Sequence, residues 1–187
     1  DYLVSRVEQG YGPKVRKFDR HAYMVAKQFY VLVDEVELAK PGTVTWNFHA
    51  AKEALVECET AFVGGGMPRR SLLAKAGTGL IANGDVELLL QPFGGPPMKC
   101  RRADDHVLPR LQWDTARKVK QARTGWLLLI RRKGLEFPKV RATLKDGQVQ
   151  VVSGKRRWTL PVVSRRAGWR SDMMLPFGGK VGPEVDL

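Results

Sequence analysis

Four residues near the beginning of the chain carry side chains that can do chemistry: Arg20, His21, Asp34 and His49. Asp34 and His49 each follow an apolar run. A carboxylate and an imidazole on adjacent strands can hold a divalent metal ion. The same two groups can instead form a buried hydrogen-bonded pair that only fixes the sheet. Both interpretations predict that Asp34 and His49 lie close together.

Three apolar runs must position these residues. The runs AYMVA and FYVLV lie within residues 20–37 and are rich in aromatic and β-branched residues, as in strands with one or both faces buried. The second run ends at Asp34-Glu35, and Pro41-Gly42 then turns the chain. A third run, TVTWNFHA, follows at once. Three strands joined this closely predict an antiparallel meander, in which Asp34 closes one strand and His49 closes the next.

The third run alternates between apolar and polar residues. In a strand, successive side chains point to opposite faces of the sheet. We therefore expect Trp46 and Phe48 to be buried and His49 to face the other side, near Asp34.

The remainder of the chain consists of short apolar runs separated by turn signals, and the clearest of these signals are Asn83-Gly84 and Asp146-Gly147. About a dozen short strands and no long helix predict an all-β fold, an antiparallel two-sheet β-sandwich with an irregular C-terminal tail. We expect the sandwich to occupy residues 1–163 and the tail residues 164–187. The chain begins with Asp1 rather than Met, and we expect it to be a fragment of a longer chain.

The series of polar residues around the three runs resembles the C-terminal β-sandwich domain of heparinase II/III-like polysaccharide lyases. The resemblance covers roughly residues 1–160. Its distinctive motifs are Arg20-His21, Val33-Asp34-Glu35-Val36, Lys40-Pro41 and Trp46-Asn47-Phe48-His49.

The resemblance implies a domain of a lyase that acts by β-elimination on an acidic, uronate-containing polysaccharide. Such a domain forms one wall of the cleft. Its expected partner is an N-terminal α-helical toroid of the same protein, which holds much of the catalytic machinery, including a tyrosine. The chain alone is therefore expected to be inactive, and joined to its toroid it would be a carbon–oxygen lyase. The family also implies a periplasmic or extracellular location.

Residue roles follow from the same resemblance. Arg20 and His21 are assigned to substrate binding, and no catalytic residue is identified. Asp34 and His49 match two of the three residues with which the family's sandwich domain holds a zinc-like ion. The third, an earlier histidine, would stand about where this chain has residues 16–18, which are Arg, Lys and Phe.

The charge is unevenly distributed. The net charge of +13 comes almost entirely from residues 101–187, where Lys and Arg outnumber Asp and Glu by twelve. One interpretation is an anionic partner, and another is a solvated, Arg-rich surface. An alternative function is therefore a noncatalytic β-sandwich module that binds anionic polysaccharide through its basic C-terminal half.

Several other classes of function find no support in the sequence. There is no Gly-x-Ser-x-Gly elbow and no dinucleotide fingerprint, which argues against a hydrolase or a dehydrogenase. No apolar stretch approaches the roughly 18 residues that cross a bilayer. Nucleic acid is not an expected partner, because there is no recognition helix, RNP-like strand or zinc-finger spacing.

Overall fold

The computed structural model of the protein describes residues 2–6, 8–58, 77–104, 108–162 and 185–186. These residues form fourteen β-strands and one short 3-10 helix, Glu8–Lys14, with no α-helix among them. The strands pair antiparallel throughout. The all-β prediction is confirmed. Within these ranges, no helix is long and apolar enough to cross a membrane.

A seven-stranded central sheet forms the middle of the molecule. In spatial order its strands are β1 (Tyr2–Arg6), β2 (Val15–Val25), β3 (Phe29–Gly42), β10 (Val119–Arg132), β7 (Val86–Phe93), β6 (Gly79–Asn83) and β5 (Leu55–Cys58). The long strands β3 and β10 pair in its centre, from Phe29 opposite Leu129 to Gly42 opposite Val119.

Two smaller sheets complete the fold. The four-stranded sheet contains β11 (Val140–Lys145), β12 (Gln148–Ser153), β13 (Arg156–Pro161) and β14 (Val185–Asp186). The three-stranded sheet contains β4 (Thr45–His49), β9 (Pro109–Thr115) and β8 (Met98–Asp104), in the spatial order β4-β9-β8.

The two smaller sheets cover opposite faces of the central sheet. On β3, Val31 and Val33 face one way and share a core with Val149, Val151 and Leu160 of the four-stranded sheet. The alternate side chains of β3 face the other way. Among them, Val36 shares a second core with Trp46 and Trp113 of the three-stranded sheet. The structure thus adds a third sheet to the expected two. Because both faces of the central sheet are buried, runs such as FYVLV and WLLLI are apolar without alternation.

The predicted meander is wrong for its third strand. β2 and β3 form the expected hairpin, but β4 leaves the central sheet and pairs with β9. Trp46 is 3% exposed and Phe48 is half-buried, so the predicted alternation within this run is confirmed. Alternation fixes which face of a strand is apolar, but it does not fix the sheet that the strand joins.

Asp34 does not close a strand, as the sequence had suggested. β3 continues through Asp34 and Glu35 to Gly42, and both carboxylates are buried in mid-strand. Buried carboxylates are rare unless they are paired, and the required cations come from strands on either side.

Two predicted hairpins are confirmed. Asn83 pairs with Val86 and Lys145 pairs with Gln148, so each turn has two residues. Asp146 and Gly147 have φ of 50° and 73°, the left-handed pair that suits a tight hairpin. In the segment expected to be an irregular tail, the structure describes residues 185–186, which pair with Arg156 and Arg157 of β13. The boundary at residue 163 stays a prediction.

Candidate functional site

Polar and charged side chains cluster where β2, β3 and β10 pair in the central sheet. We call this set the ion cluster, and its members are Lys17, Asp19, Arg20, His21, Asp34, Glu35 and Arg123. Asp19, His21 and Asp34 are 0% exposed and Glu35 is 4% exposed. Strand alternation divides the cluster, so that Arg20 and Asp34 lie on the face toward the three-stranded sheet and the others lie on the opposite face.

Arg20 and Asp34 form a two-pronged ion pair across the β2–β3 hairpin. The Nε atom of Arg20 donates to Oδ1 of Asp34 at 2.7 Å, and Nη2 donates to Oδ2 at 2.8 Å. This hydrogen bonding raises the pKa of Arg20 against the opposing effect of its burial. The Arg20 side chain stays 37% exposed, while the Asp34 side chain is wholly buried. Arg20 therefore closes the surface over a buried negative charge.

Glu35 is neutralised on the opposite face of the sheet. Lys17 Nζ donates to its Oε2 atom at 2.7 Å, and the Arg123 guanidinium contacts its Oε1 atom. Lys17 also lies 3.3 Å from Asp19. Cations from β2 and β10 thus flank Glu35 on β3, the strand between them. Their positive charges offset its negative charge, so that β3 can stay paired with both neighbours at this position.

His21 lies inside the ion cluster rather than at the surface. Its Nδ1 atom is 2.8 Å from the Tyr2 hydroxyl, and its ring stacks on that of Tyr2 at an interplanar angle of 12°. Its Nε2 atom lies 3.9 Å from Glu35 Oε2 and makes no hydrogen bond within the described residues. With 0% exposure, His21 is out of reach of a polysaccharide at the surface, whereas Arg20 keeps a solvent-facing edge.

A second polar arrangement covers the outward side of the three-stranded sheet. We call it the outer polar face, and its members are Thr45, Asn47, His49, Lys99, Arg101, Gln112 and Asp114. Asp114 is its centre: it accepts hydrogen bonds from Thr45 at 2.6 Å, from Gln112 at 2.9 Å and from Arg101 at 3.1 Å. Burial raises the pKa of Asp114, but these hydrogen bonds outweigh it and hold the pKa below its ordinary value.

The structure does not bring Asp34 and His49 together. Asp34 lies within the central sheet, on the face turned toward the three-stranded sheet. His49 is exposed on the far side of that smaller sheet. Trp46 and Phe48, on the inner side of β4, occupy the space between the sheets.

These placements do not fit a metal site made by Asp34 and His49. Both oxygens of Asp34 are already taken by the Arg20 guanidinium. In the described ranges, no group of three or more His, Cys, Asp or Glu residues could hold a metal ion. His106 lies outside those ranges. The predicted zinc-like ion at Asp34 and His49 is untested, and the placement of both residues argues against it.

Four members of the ion cluster were not predicted as site residues from the sequence: Lys17, Asp19, Glu35 and Arg123. Lys17, Asp19 and His21 alternate along β2, which was a local signal that they share a face. Arg123 gave no such signal, since it reaches Glu35 only through the pairing of β3 with β10, far apart in sequence.

Comparison with known proteins places the fold. No protein-family model and no curated protein matches the chain. The structure titled "Crystal Structure of Heparinase III" matches with a TM-score of 0.60 at 17% identity, over 85% of this chain and 25% of that chain. A heparan sulfate lyase HepC mutant from Pedobacter heparinus matches with a TM-score of 0.58 at 8% identity, over 89% of this chain and 27% of that chain.

These likenesses confirm the expected resemblance at the level of the fold. A further structure described as a heparinase III gene product matches with a TM-score of 0.58 over 85% of this chain. The chain spans about a quarter of the length of each of these proteins. The shared part is therefore one portion of larger chains.

Proposed function

We propose that this chain is the β-sandwich domain of a polysaccharide lyase that acts by β-elimination on an acidic, uronate-containing glycan. The observation that carries the proposal is the fold likeness to heparinase III, over 85% of this chain but only a quarter of that protein. An α-helical toroid domain of the same protein is the second part of the proposed enzyme. Since its substrate is an extracellular type of polymer, we place the enzyme in the periplasm or outside the cell.

The proposed reaction sets definite chemical requirements. A base removes the proton on C5 of the uronate, next to the carboxyl group. The electron pair forms the C4–C5 double bond as the C4–O bond breaks, and the leaving oxygen takes up a proton. Cations or hydrogen-bond donors must neutralise the carboxylate, because negative charge spreads onto it in the transition state.

This chain offers donors and cations for one wall of such a cleft. On the outer polar face, Arg101 and Lys99 are exposed cations, and Asn47 and His49 are exposed hydrogen-bonding groups. Asp114 holds the Arg101 guanidinium in place through Oδ2. A wall of this kind orients the glycan and offsets the uronate charge, while the base and the acid come from the toroid.

The ion cluster has a different role in this proposal. Its carboxylates are buried and matched by cations, so it joins β2, β3 and β10 rather than meeting a substrate. Arg20, at its exposed edge, is the one member that keeps contact with solvent on the side of the three-stranded sheet.

The test is to express the whole reading frame that contains this chain and to assay it on heparan sulfate and on other uronate glycans. Elimination is followed by the ultraviolet absorbance of the unsaturated uronate product. We expect product from the whole protein and none from the 187-residue chain.

The double variant Asn47→Ala/Arg101→Ala should lower kcat/KM in the whole protein, while Lys52→Ala, a change at an exposed lysine on another segment, should not. A reading frame without a toroid, or a whole protein that yields no unsaturated product, would overturn the proposal.

A further inference from the structure

The outward side of the four-stranded sheet carries an ordered array of polar and basic residues. We call it the basic face. The pairing of β11, β12 and β13 arranges it in three rows across the sheet. The rows are Arg141, Val152 and Arg157, then Thr143, Gln150 and Thr159, then Lys145, Gln148 and Pro161.

Among the described residues, the cations of the basic face have little contact with counter-charges. Arg141 and Arg157 are exposed, and within the described ranges neither guanidinium makes an ion pair or a side-chain hydrogen bond. Lys145 lies 3.9 Å from Asp146 in the β11–β12 turn, with side chains 78% and 85% exposed, a separation and exposure at which an ion pair contributes little. Several cations elsewhere are engaged instead, as Arg20 is with Asp34 and Arg101 with Asp114.

The strands that carry the array are packed on the core. The inward side chains of the same strands, Val149, Val151 and Leu160, are at most 1% exposed and belong to the core against the central sheet. Strands in a sheet lie 4.7–4.9 Å apart, so the backbones that carry Arg141 and Arg157 are separated by about 10 Å. The backbone positions that carry the charges are therefore set before a ligand binds, and the freedom lost on binding is that of the exposed side chains.

The chemistry of the array selects an anionic polymer with hydroxyl groups. A guanidinium offers two parallel N–H donors to a sulfate or a carboxylate. The Thr and Gln side chains between the cations can donate to and accept from sugar hydroxyls. None of the nine residues of the face is aromatic, whereas single-stranded nucleic acid is bound by stacking bases on aromatic rings.

We propose that the basic face is a noncatalytic binding site for a linear sulfated or carboxylated glycan. The choice of a glycan as the ligand rests on the proposed function. The arrangement of residues on the basic face is observed independently of that function. The four-stranded sheet and the three-stranded sheet cover opposite faces of the central sheet, so this site is separate from the outer polar face.

The test measures binding of the 187-residue chain to size-defined heparin oligosaccharides by calorimetry. The measurement does not depend on lyase activity. The variant Arg141→Gln/Lys145→Gln/Arg157→Gln removes the three cations of the basic face. The matched control, Lys40→Gln/Lys52→Gln/Lys133→Gln, removes three exposed cations from other parts of the surface. We expect the first variant to weaken binding by about tenfold or more, and the control by less than about twofold. Circular dichroism verifies that both variants keep the sheet structure.

The outcomes separate the inference from its alternatives. Equal losses in the two triple variants would mean that net charge alone attracts heparin, and the site would be rejected. Binding of single-stranded DNA as tight as that of heparin at the same salt concentration, lost in the same variant, would reject the glycan as occupant. If the whole protein has no lyase activity, the binding measurement still tests the basic face. Conversely, if the whole protein is an active lyase but the three substitutions leave heparin binding unchanged, only this inference is rejected.

Discussion

The guanidinium of Arg20 donates hydrogen bonds to both carboxylate oxygens of Asp34, at 2.7 and 2.8 Å, and covers that buried carboxylate. The positive charge beside Asp34, which the sequence suggested as a metal ligand, is therefore supplied by Arg20 of the neighbouring strand β2. This contact adds to the backbone pairing of β2 with β3, and it occupies both oxygens of Asp34.

Breaking this pair should destabilise the chain unequally from its two sides. Arg20→Ala leaves a wholly buried carboxylate without its cation and should lower the free energy of unfolding by about 3 kcal/mol. Asp34→Ala leaves a cation that can turn to solvent, so we expect a smaller loss, about 1–2 kcal/mol. The double variant should lose less than the sum, as measured by urea denaturation. Strictly additive losses would show that the two side chains do not depend on each other.

Zinc should not bind at Asp34 in this chain. Equilibrium dialysis against zinc, followed by elemental analysis, should give the same metal content for the original chain and for His49→Ala. A chelator should leave the melting temperature unchanged, because no folding free energy is linked to the metal. Stoichiometric zinc that is lost in His49→Ala would contradict the placement of His49.

Trp46→Ala should be among the most destabilising substitutions in the three-stranded sheet. Trp46 is 3% exposed, and its ring centroid lies 5.9 Å from that of Trp126 in the central sheet. Removing the indole should lower the free energy of unfolding by about 3–5 kcal/mol. Thr45→Ala, at the exposed neighbour, should have a much smaller effect. A loss below about 1 kcal/mol for Trp46→Ala would mean that β4 has a different register.

Gly79 of the central sheet lies close against β9 of the three-stranded sheet. A Cβ atom there would lie 2.5 Å from Leu111 Cδ1 and 2.9 Å from the Trp113 ring. Gly79→Ala should therefore lower the free energy of unfolding by about 1–3 kcal/mol through overpacking. The control is Gly10→Ala, where nothing lies within 4 Å of the added atom. Equal effects of the two substitutions in thermal melts would refute this packing.

Asp114 should contribute to stability in a pH-dependent way. Its pKa in the folded chain lies below the ordinary value of 3.8. Its contribution is therefore fully present above that value, and it is lost as the pH falls through the lower pKa of the folded state. The difference in melting temperature between the original chain and Asp114→Asn should shrink toward zero in strong acid. A difference in melting temperature that stays the same in strong acid would contradict this role of Asp114.

What the sequence could predict was local. Alternation in TVTWNFHA correctly separated the buried Trp46 from the exposed His49, and the Asp146-Gly147 turn correctly located a hairpin. Both features depend on residues within a few positions of each other, where backbone geometry decides the outcome.

What the sequence could not predict depends on distant strands. A pair of carboxylates after an apolar run suggested a strand end at Asp34, because buried carboxylates are rare. Glu35 is tolerated in mid-strand since Arg123, from β10, reaches it in the folded sheet. The departure of β4 to a separate sheet likewise follows from its pairing with β9, which lies more than sixty positions further along.

The pairing of β3 with β10 also governs the order in which the molecule can be assembled. Phe29 meets Leu129 and Gly42 meets Val119, so the first hairpin leaves the ribosome long before its central partner exists. Until then both apolar sides of β3 and its open edge face water, and loop closure over that distance makes folding slow. A nascent chain that ends before residue 119 thus presents an unpaired strand edge, which is a site for aggregation.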